Sequence, residues 1–507
     1  MYSRTQKAKF NILTSLTAQA VSMICGIIVP HLLINHFGSE VYGATTSISN
    51  LLAYISLLEG GIAGVARAAL YKCIADDNQS ETSSIYHEIK RFFNIIGVVF
   101  VVYTIIIACF YKYIANESTF DWGFSFLLVL VISISTLAQY FWGISNSIFL
   151  QADQKLYINN ILSIVTIVVN TLSVVLLTYL NVGIIYVKLA SSIAFLIRPF
   201  YLALYVRKNY NIEPVVQRSK SDALSQKWTG LGQHIAYFLH SNTDVFVLTV
   251  FANLKLVAVY SVYSMVVTAI RNFCASFYNG LEALLGNMYA KGESEKLLAV
   301  FSYYETLIST VAITLFSTTA VLIVPFVKLY TAGVNDVNYI LPVFSVLMVL
   351  AELVYTLRTP YHYMVIAANR FKETKFSAYG EAGINIVLSV ALVFKYGING
   401  IAWATLLAMI FRSMYYAIYL SRNVINRKIG IYIKRNTING INFFMCWITG
   451  RWIIKLFIIS HYVDWIICGV IVFCISAVIT LSFNLVFYKK DMLALAKKAF
   501  GNRISNG

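Results

Sequence analysis

Hydrophobic residues in this chain form long, nearly uninterrupted runs, and polar residues collect in the short intervals between them. About fourteen such runs follow one another from Phe10 to Tyr488. A helix needs about 20 predominantly apolar residues to cross a bilayer, and each run is long enough. We therefore predict an all-α polytopic membrane protein with about 14 transmembrane helices. The predicted spans are residues 10–35, 42–69, 92–114, 122–149, 156–179, 182–206, 228–253, 256–286, 299–330, 339–369, 375–395, 398–421, 437–460 and 463–488.

The composition agrees with a chain that is built for lipid. Hydrophobic residues make up 59% of the 507 residues and charged residues only 12%, whereas soluble domains carry about 25% charged residues. The longest polar stretches, at about 71–91, 207–226 and 423–436, are too short to fold alone. We therefore expect no soluble domain.

The positive charges alternate from loop to loop. If the N-terminus is cytoplasmic, most of the 39 Lys and Arg residues lie in loops on that side of the membrane. The opposite loops hold only Lys112, Lys255, Lys328 and Lys395. This asymmetry predicts cytoplasmic N- and C-termini. Because a nucleic-acid binder concentrates its charge on one face, the net charge of +17 indicates anionic membrane lipids as partners rather than nucleic acid.

Catalytic and metal-binding signatures are missing from the sequence. The seven cysteines show no CxxC spacing, so we predict neither a disulfide nor a metal site. HExxH, GxSxG and P-loop motifs are also missing. The first apolar run has no cleavage site of small residues and is expected to be a spanning helix rather than a signal peptide. We therefore expect a protein that is not an enzyme and needs no cofactor.

An internal repeat divides the chain. Arg198-Pro-Phe-Tyr-Leu-Ala-Leu-Tyr205 in the sixth span resembles Arg412-Ser-Met-Tyr-Tyr-Ala-Ile-Tyr419 in the twelfth. Two shorter matches in the same order support a duplicated unit of six helices. An even helix number gives both units the same orientation, the parallel-repeat arrangement of many transporters. We predict an N-terminal lobe (1–210), a C-terminal lobe (211–430) and an extra helix pair with a cytoplasmic tail (431–507).

Cations inside the apolar runs are the main indication of function. A charge at the bilayer centre costs at least ~2.5–3.5 kcal/mol, and Arg271 and Arg358 are the hardest to explain without a wet cavity. A polar stripe with helical spacing, from Ser264 to Glu282, surrounds Arg271 and predicts such a cavity. Guanidinium groups match phosphate, so an anionic substrate is expected. The candidate substrate-binding residues are Arg271, Arg358, Lys188, Arg198, Arg412 and Arg67.

An alternative interpretation is that these cations pair with embedded acids and hold helices together. The embedded acids are Glu59, Asp244, Glu282, Glu305 and Glu352. Asp244 and His240 lie four residues apart on one helix face, so together with Glu59 they are candidates for coupling transport to H⁺ or Na⁺. Structural pairing with arginine remains open for these residues as well.

Local motifs resemble a known transporter group. Asn35-His-Phe-Gly-Ser-Glu-Val-Tyr-Gly43 follows the first span, Leu51-Leu-Ala-Tyr-Ile-Ser-Leu-Leu-Glu-Gly-Gly-Ile62 lies in the second, and Tyr396-Gly-Ile-Asn-Gly-Ile-Ala402 begins the twelfth. In these segments the chain resembles the polysaccharide flippases, for O-antigen and capsule, of the multidrug/oligosaccharidyl-lipid/polysaccharide exporter superfamily. The span count, repeat and orientation extend the likeness to the whole chain.

The resemblance implies two six-helix lobes in a V around a cationic cavity. It also implies a substrate, an oligosaccharide linked to undecaprenyl pyrophosphate, which crosses the bacterial cytoplasmic (inner) membrane by alternating access during capsule or lipopolysaccharide biosynthesis. By span position, Arg271, Arg358 and Lys188 are expected to face the pyrophosphate. A polysaccharide polymerase is an expected partner. The alternatives are a lipid II flippase, a cation-coupled multidrug exporter of the same fold, and a membrane polymerase or acyltransferase.

Overall fold

The computed structural model describes residues 4–60, 62–115, 119–213, 231–278 and 281–493, and every regular element in this part of the chain is a helix. The prediction of an all-α protein is therefore confirmed. The α-helices are α1 (Arg4–Ala53), α2 (Ile62–Ala75), α3 (Gln79–Ile114), α4 (Trp122–Ala138), α5 (Ile144–Ala152), α6 (Leu156–Tyr179), α7 (Ile184–Asn209), α8 (Leu231–Phe251), α9 (Leu254–Ala275), α10 (Leu281–Ala290), α11 (Ser294–Tyr330), α12 (Pro342–Leu357), α13 (Thr359–Ala367), α14 (Phe371–Tyr396), α15 (Ile398–Asn423), α16 (Ile429–Ile454) and α17 (Tyr462–Phe487).

Within the described residues, 11 helical segments are long and apolar enough to cross a membrane. The first predicted span and the start of the second lie in α1, which departs from helical geometry only at Gly38 (φ 84°, ψ 166°). The rest of the second predicted span, 42–69, is divided between a 3₁₀ turn, Tyr54–Glu59, and α2. The helices α8 and α16 occupy the seventh and thirteenth predicted spans but are not among the 11. The chain is thus a multi-pass membrane protein, while the total of 14 spans stays a prediction.

The chain folds as two compact units, Met1–Ala258 (the first unit) and Val259–Gly507 (the second unit). In the first unit, α1 packs along α6, both α4 and α6 pack against α7, and α2 packs on α3 and α5. In the second unit, α15 packs against α14 and α12, while α11 contacts α12, α16 and α17. The helix pair α16 and α17 therefore packs within the second unit. The predicted three-part division of the chain stays a prediction.

The helix boundaries repeat between the two units. The helices α5 and α13 each have nine residues, and α7 and α15 each have 26. Three residues with positive φ in the first unit also have counterparts at a nearly constant separation in the second. These pairs are Asp77 with Gly292, Gln154 with Asn369, and Asn181 with Gly397. The duplication predicted from the sequence is therefore present in the backbone of the two units, while their parallel orientation stays a prediction.

The fourth helix of each repeat is interrupted at the same place. In the first unit a π-helical turn, Gln139–Gly143, separates α4 from α5. In the second unit Arg358 separates α12 from α13, and Pro360 lies in the first turn of α13, where it cannot donate a hydrogen bond to the preceding helix. Such interruptions often occur at functional sites, and both lie beside the polar side chains described below.

A close approach of backbones fixes the second half of α1 within the first unit. A Cβ atom at Gly43 would collide with the carbonyl oxygen and carbon of Leu254 at the start of α9. Nearby, the hydroxyl of Thr249 in α8 donates to Ser47 in α1 at 2.9 Å. Glycine at this position therefore permits the approach.

We predict that Gly43→Ala lowers the thermal unfolding temperature of the purified protein. Because the carbonyl of Leu254 is backbone and cannot rotate away, the backbones must separate, at a cost of about 1–3 kcal/mol. Gly26→Ala is the matched control, because a Cβ atom at Gly26 meets no atom within 4 Å. Equal unfolding temperatures for the two variants would contradict the prediction.

Ion pairs hold the start of α1 against the loop between α5 and α6, outside the membrane-spanning segments. Asp153 accepts from Lys155 at 2.8 Å, from Lys7 at 3.3 Å and from the hydroxyl of Tyr210. Burial alone would raise the pKa of Asp153, but hydrogen bonds from Lys155 and Tyr210 and the charges of Lys155 and Lys7 outweigh it and lower the pKa. The ionised carboxylate therefore stabilises the folded state.

We expect Asp153→Asn to lower the free energy of unfolding at neutral pH by roughly 1 kcal/mol and to make that free energy vary less as the pH falls. The folded-state pKa is depressed, so the contribution is present above the unfolded pKa of about 4 and is lost as the pH falls through the lower folded pKa. Thermal unfolding of both proteins at pH 7 and near pH 3 tests this. Asp77→Asn is the control, since Asp77 and Asp153 line one pocket and Asp77 has no ion pair to a described residue. A difference from wild type that persists in acid would refute the assignment.

Candidate functional site

The second unit contains a buried cluster of charges around one carboxylate. Glu381 in α14 pairs with Arg358 at 3.4 Å and with Arg412 in α15, and its side chain is only 2% exposed. Arg412 also donates to the hydroxyl of Tyr416 at 2.9 Å. One carboxylate thus partly neutralises two arginines, both of which lie within predicted membrane spans.

A second ion pair lies beside this cluster. Nη1 of Arg271 in α9 is 3.0 Å from Oε1 of Glu352 in α12. The ring of Tyr355 lies near both arginines, with Cζ of Arg271 at 5.4 Å and Cζ of Arg358 at 4.9 Å from its centroid. These distances allow cation–π attraction. The structure therefore brings Arg271, Arg358 and Arg412 into one group that two carboxylates partly neutralise.

Glu381 was missed in the sequence, although a pattern in the eleventh predicted span could have revealed it. Ser377, Glu381, Asn385 and Ser389 recur every four residues, which places them on one helix face. All four are buried, and Asn385 donates to Thr405 in α15 at 2.9 Å. A polar stripe of this kind must face protein rather than lipid, so it indicated a buried carboxylate beside α15.

A third buried group, not predicted as a unit, lies where α16 begins. Glu305 in α11 pairs with Arg427 at 2.5 Å and accepts from the hydroxyl of Tyr361. Arg435 in α16 pairs with Asp491 at 2.7 Å and lies 3.6 Å from Glu305. Two arginines and two carboxylates here tie α11, α13 and α16 together. The embedded acid Glu305 therefore has the structural role that the sequence left open.

The first unit holds its arginines differently. Nη1 of Arg67 in α2 donates to Oε1 of Gln151 at 2.8 Å, and Nε of Arg198 in α7 donates to Oδ1 of Asn159 at 3.1 Å. Both amides in turn donate to the hydroxyl of Ser147, Gln151 at 3.1 Å and Asn159 at 2.8 Å. A continuous chain of hydrogen bonds through neutral side chains of α5 and α6 therefore connects the guanidinium group of α2 with that of α7. We call these five residues the amide network.

No carboxylate among the described residues forms an ion pair with Arg67, Arg198 or Lys188. Lys188 lies near the start of α7, next to Val187 in a small apolar cluster with Leu33 and Val174. It is half-buried and has no hydrogen bond to a described residue. Three of the six predicted substrate-binding cations thus lie in the first unit without a compensating negative charge in the described part of the chain.

The candidates for ion coupling also lie in the first unit. Glu59 ends the 3₁₀ turn after α1, and its Oε1 accepts from the hydroxyl of Tyr140 at 2.7 Å. Asp244 is buried in α8. The side chain of His240 lies outside the described residues. The coupling role of these three residues stays a prediction.

An apolar groove of about 720 Å³ lies in the second unit between α12 and α16. Pro342, Val343, Trp447 and Trp452 are among its lining residues. Arg451 and Lys455 also line it, and Cζ of Arg451 lies 5.7 Å from the centroid of the Trp447 ring. Two cations beside a long apolar surface suit an amphipathic ligand, while tryptophan and snorkelling cations also suit a membrane interface.

Comparisons with known structures define the class of this fold. The structure titled lipid II flippase MurJ, inward closed conformation, has a TM-score of 0.69 and 17% identity, covering 94% of this chain and 99% of the flippase. An inward-facing multidrug resistance transporter of the MATE family has a TM-score of 0.63 and 12% identity. The match covers 81% of this chain and 98% of the transporter chain. The fold is therefore similar to those of this flippase and of this transporter, whose title places it in the MOP superfamily.

Sequence comparison gives the family. The polysaccharide biosynthesis protein family matches residues 9–280, more than half of the chain. The chain belongs to this family, which confirms the resemblance to the polysaccharide branch of the superfamily. A comparison with curated proteins gives no sequence match.

The cluster around Glu381 predicts a large cost for removing its charge. Glu381→Gln leaves Arg358 and Arg412 buried without their carboxylate, and breaking a buried ion pair costs about 3–5 kcal/mol. We expect a strongly reduced unfolding temperature for the purified variant. Glu293→Gln, which removes an exposed pair with Lys296 at 3.5 Å, is the control and should change little. An unaltered unfolding temperature for Glu381→Gln would mean that water or another group already compensates the arginines.

Proposed function

We propose that this protein is a flippase that moves an oligosaccharide linked to undecaprenyl pyrophosphate from the cytoplasmic to the outer leaflet by alternating access. The observation that carries the proposal is that Arg67 and Arg198, two cations in predicted spans of the first unit, are held by amides rather than carboxylates. Such groups are costly in a membrane unless an anion or water compensates them. A guanidinium fork suits a diphosphate.

The apolar groove between α12 and α16 supports a substrate with a lipid part, because it combines an apolar surface with Arg451 and Lys455. The family description supports a role in polysaccharide biosynthesis. Arg67, Lys188, Arg198, Arg271, Arg358 and Arg412 remain the candidates for substrate contact. The proposed location is the bacterial cytoplasmic membrane with both termini in the cytoplasm, as the distribution of Lys and Arg predicts.

Transport needs a source of energy, and the chain carries no nucleotide-binding motif. We propose coupling to H⁺ or Na⁺ through Asp244, Glu59 and His240, since carboxylates in membrane helices often serve proton or sodium transfer. A polysaccharide polymerase is the proposed partner that consumes the flipped unit. In this proposal the protein is a transporter and not an enzyme.

A lipid II flippase is the second candidate, because the structure with that title covers almost all of this chain at a TM-score of 0.69. Both candidates share a polyprenyl diphosphate and differ in the sugar. A multidrug exporter with cationic substrates is disfavoured, because uncompensated Arg67, Lys188 and Arg198 would repel such substrates.

Deleting the gene tests the proposal. We expect loss of one surface polysaccharide and accumulation of its lipid-linked unit in the cytoplasmic leaflet, with both effects reversed by the intact gene. Quantifying lipid-linked intermediates and their accessibility from each side of the membrane measures the outcome. Arrested peptidoglycan synthesis with accumulated lipid II would favour the second candidate. Normal polysaccharide with increased sensitivity to cationic drugs would contradict both.

A further inference from the structure

The duplication provides an internal comparison for each charged position. Arg198 and Arg412 occupy the same place in α7 and α15, since the two 26-residue helices begin at Ile184 and Ile398. Both arginines donate to a side chain of the preceding helix of their own unit. The difference lies in the partner, which is the amide of Asn159 in the first unit and the carboxylate of Glu381 in the second.

The position in the first unit that corresponds to Glu381 carries no charge. Counted from the first residue of α14 and of α6, Glu381 corresponds to Thr166. Thr166 is 1% exposed, and its hydroxyl has no hydrogen-bond partner in the described part of the chain. The first unit therefore has no carboxylate where the second unit neutralises its arginine.

Two further pairs of matched positions also make the first unit more positive than the second. Counted back from the last residues of α2 and α10, Arg67 corresponds to Glu282. Lys188 in α7 likewise corresponds to Ala402 in α15. At these matched positions the first unit has cations where the second unit has an acid or a neutral residue. Side chains that only held helices together would not need a one-sided excess of charge.

The geometry of Arg198 leaves its binding atoms available. Its Nε donates to Asn159, while its two terminal nitrogens make no hydrogen bond to a described residue. Asn159 is itself held by its second hydrogen bond, to Ser147. The amide therefore orients the guanidinium without cancelling its charge, and a phosphate can still take two parallel hydrogen bonds from the terminal nitrogens.

We infer that the two repeats have divided their roles: Arg198 and Arg67 of the first unit bind the diphosphate of the substrate, whereas Arg412 is a structural tie to Glu381. Asn159 is a positioning residue that keeps the charge of Arg198 uncompensated. This inference rests on the proposed function and identifies the half of the chain that recognises the anion. It differs from the expectation based on span position, which named Arg271, Arg358 and Lys188 as the residues that face the pyrophosphate.

Asn159→Asp tests the inference, because it replaces an amide by a carboxylate of nearly equal size beside Nε of Arg198. The purified full-length protein in lipid nanodiscs is titrated with farnesyl diphosphate, and with farnesol as the uncharged probe. We expect the diphosphate affinity to fall at least about tenfold while farnesol binding is unchanged. The unfolding temperature should be equal or higher because an ion pair forms, whereas loss of a merely structural residue would lower it.

Asn160→Asp is the matched control, since it adds the same charge at the next residue of α6, where the amide contacts Ser15 and Thr14. It should retain diphosphate binding. Arg198→Gln is the second variant if Asn159→Asp fails to fold, and it should lose diphosphate selectivity by removing the charge itself.

The outcomes distinguish failure of the inference from failure of the proposed function. Diphosphate selectivity in the wild type, lost in Asn159→Asp or Arg198→Gln and kept in Asn160→Asp, supports the inference. Unchanged selectivity in the folded variants overturns the inference and leaves the proposed function standing. A wild-type protein that does not distinguish farnesyl diphosphate from farnesol overturns the proposed function and the inference with it.

Discussion

The cost of a charge in hydrocarbon governs this structure. A buried arginine must meet a carboxylate, a network of neutral acceptors, water or a ligand. In the second unit carboxylates compensate the arginines, with Glu381 and Glu352 beside Arg358, Arg412 and Arg271. In the first unit neutral acceptors do so, because the amide network holds Arg67 and Arg198. This choice decides which helices are tied together and which positive charges remain available to an anion.

The duplicated backbone explains how one fold supports both solutions. Helix lengths, positive-φ residues and the interruption of the fourth helix recur in both units. Backbone hydrogen bonding in a membrane keeps the spans of both units helical. Side chains on that frame are free to diverge. Thr166 and Glu381 occupy matching positions on matching helices, yet only the carboxylate neutralises an arginine, so electrostatic specialisation required no change of fold.

Much of the candidate site was visible in the sequence as a set of residue types. Arg67, Lys188, Arg198, Arg271, Arg358 and Arg412 were identified because each interrupts an apolar run. Their partners were not, because an ion pair depends on which helix faces meet. Arg271 and Glu352 lie 81 residues apart, and hydropathy says nothing about the rotation of one helix against another. Glu381 could have been found from the four-residue spacing of its polar neighbours, and Asn159 could not.

The sequence by itself determined the all-helical class, the multi-pass character and the duplication, because apolar run length and repeated motifs are local properties of the chain. It also set the excess of positive charge. Only the tertiary structure decided that α16 and α17 pack on α11, that Gly43 lies against Leu254, and that the arginines of the two units have different partners. The physical reason is that packing and charge compensation arise between residues distant in sequence, whose meeting depends on the whole arrangement of helices in each unit.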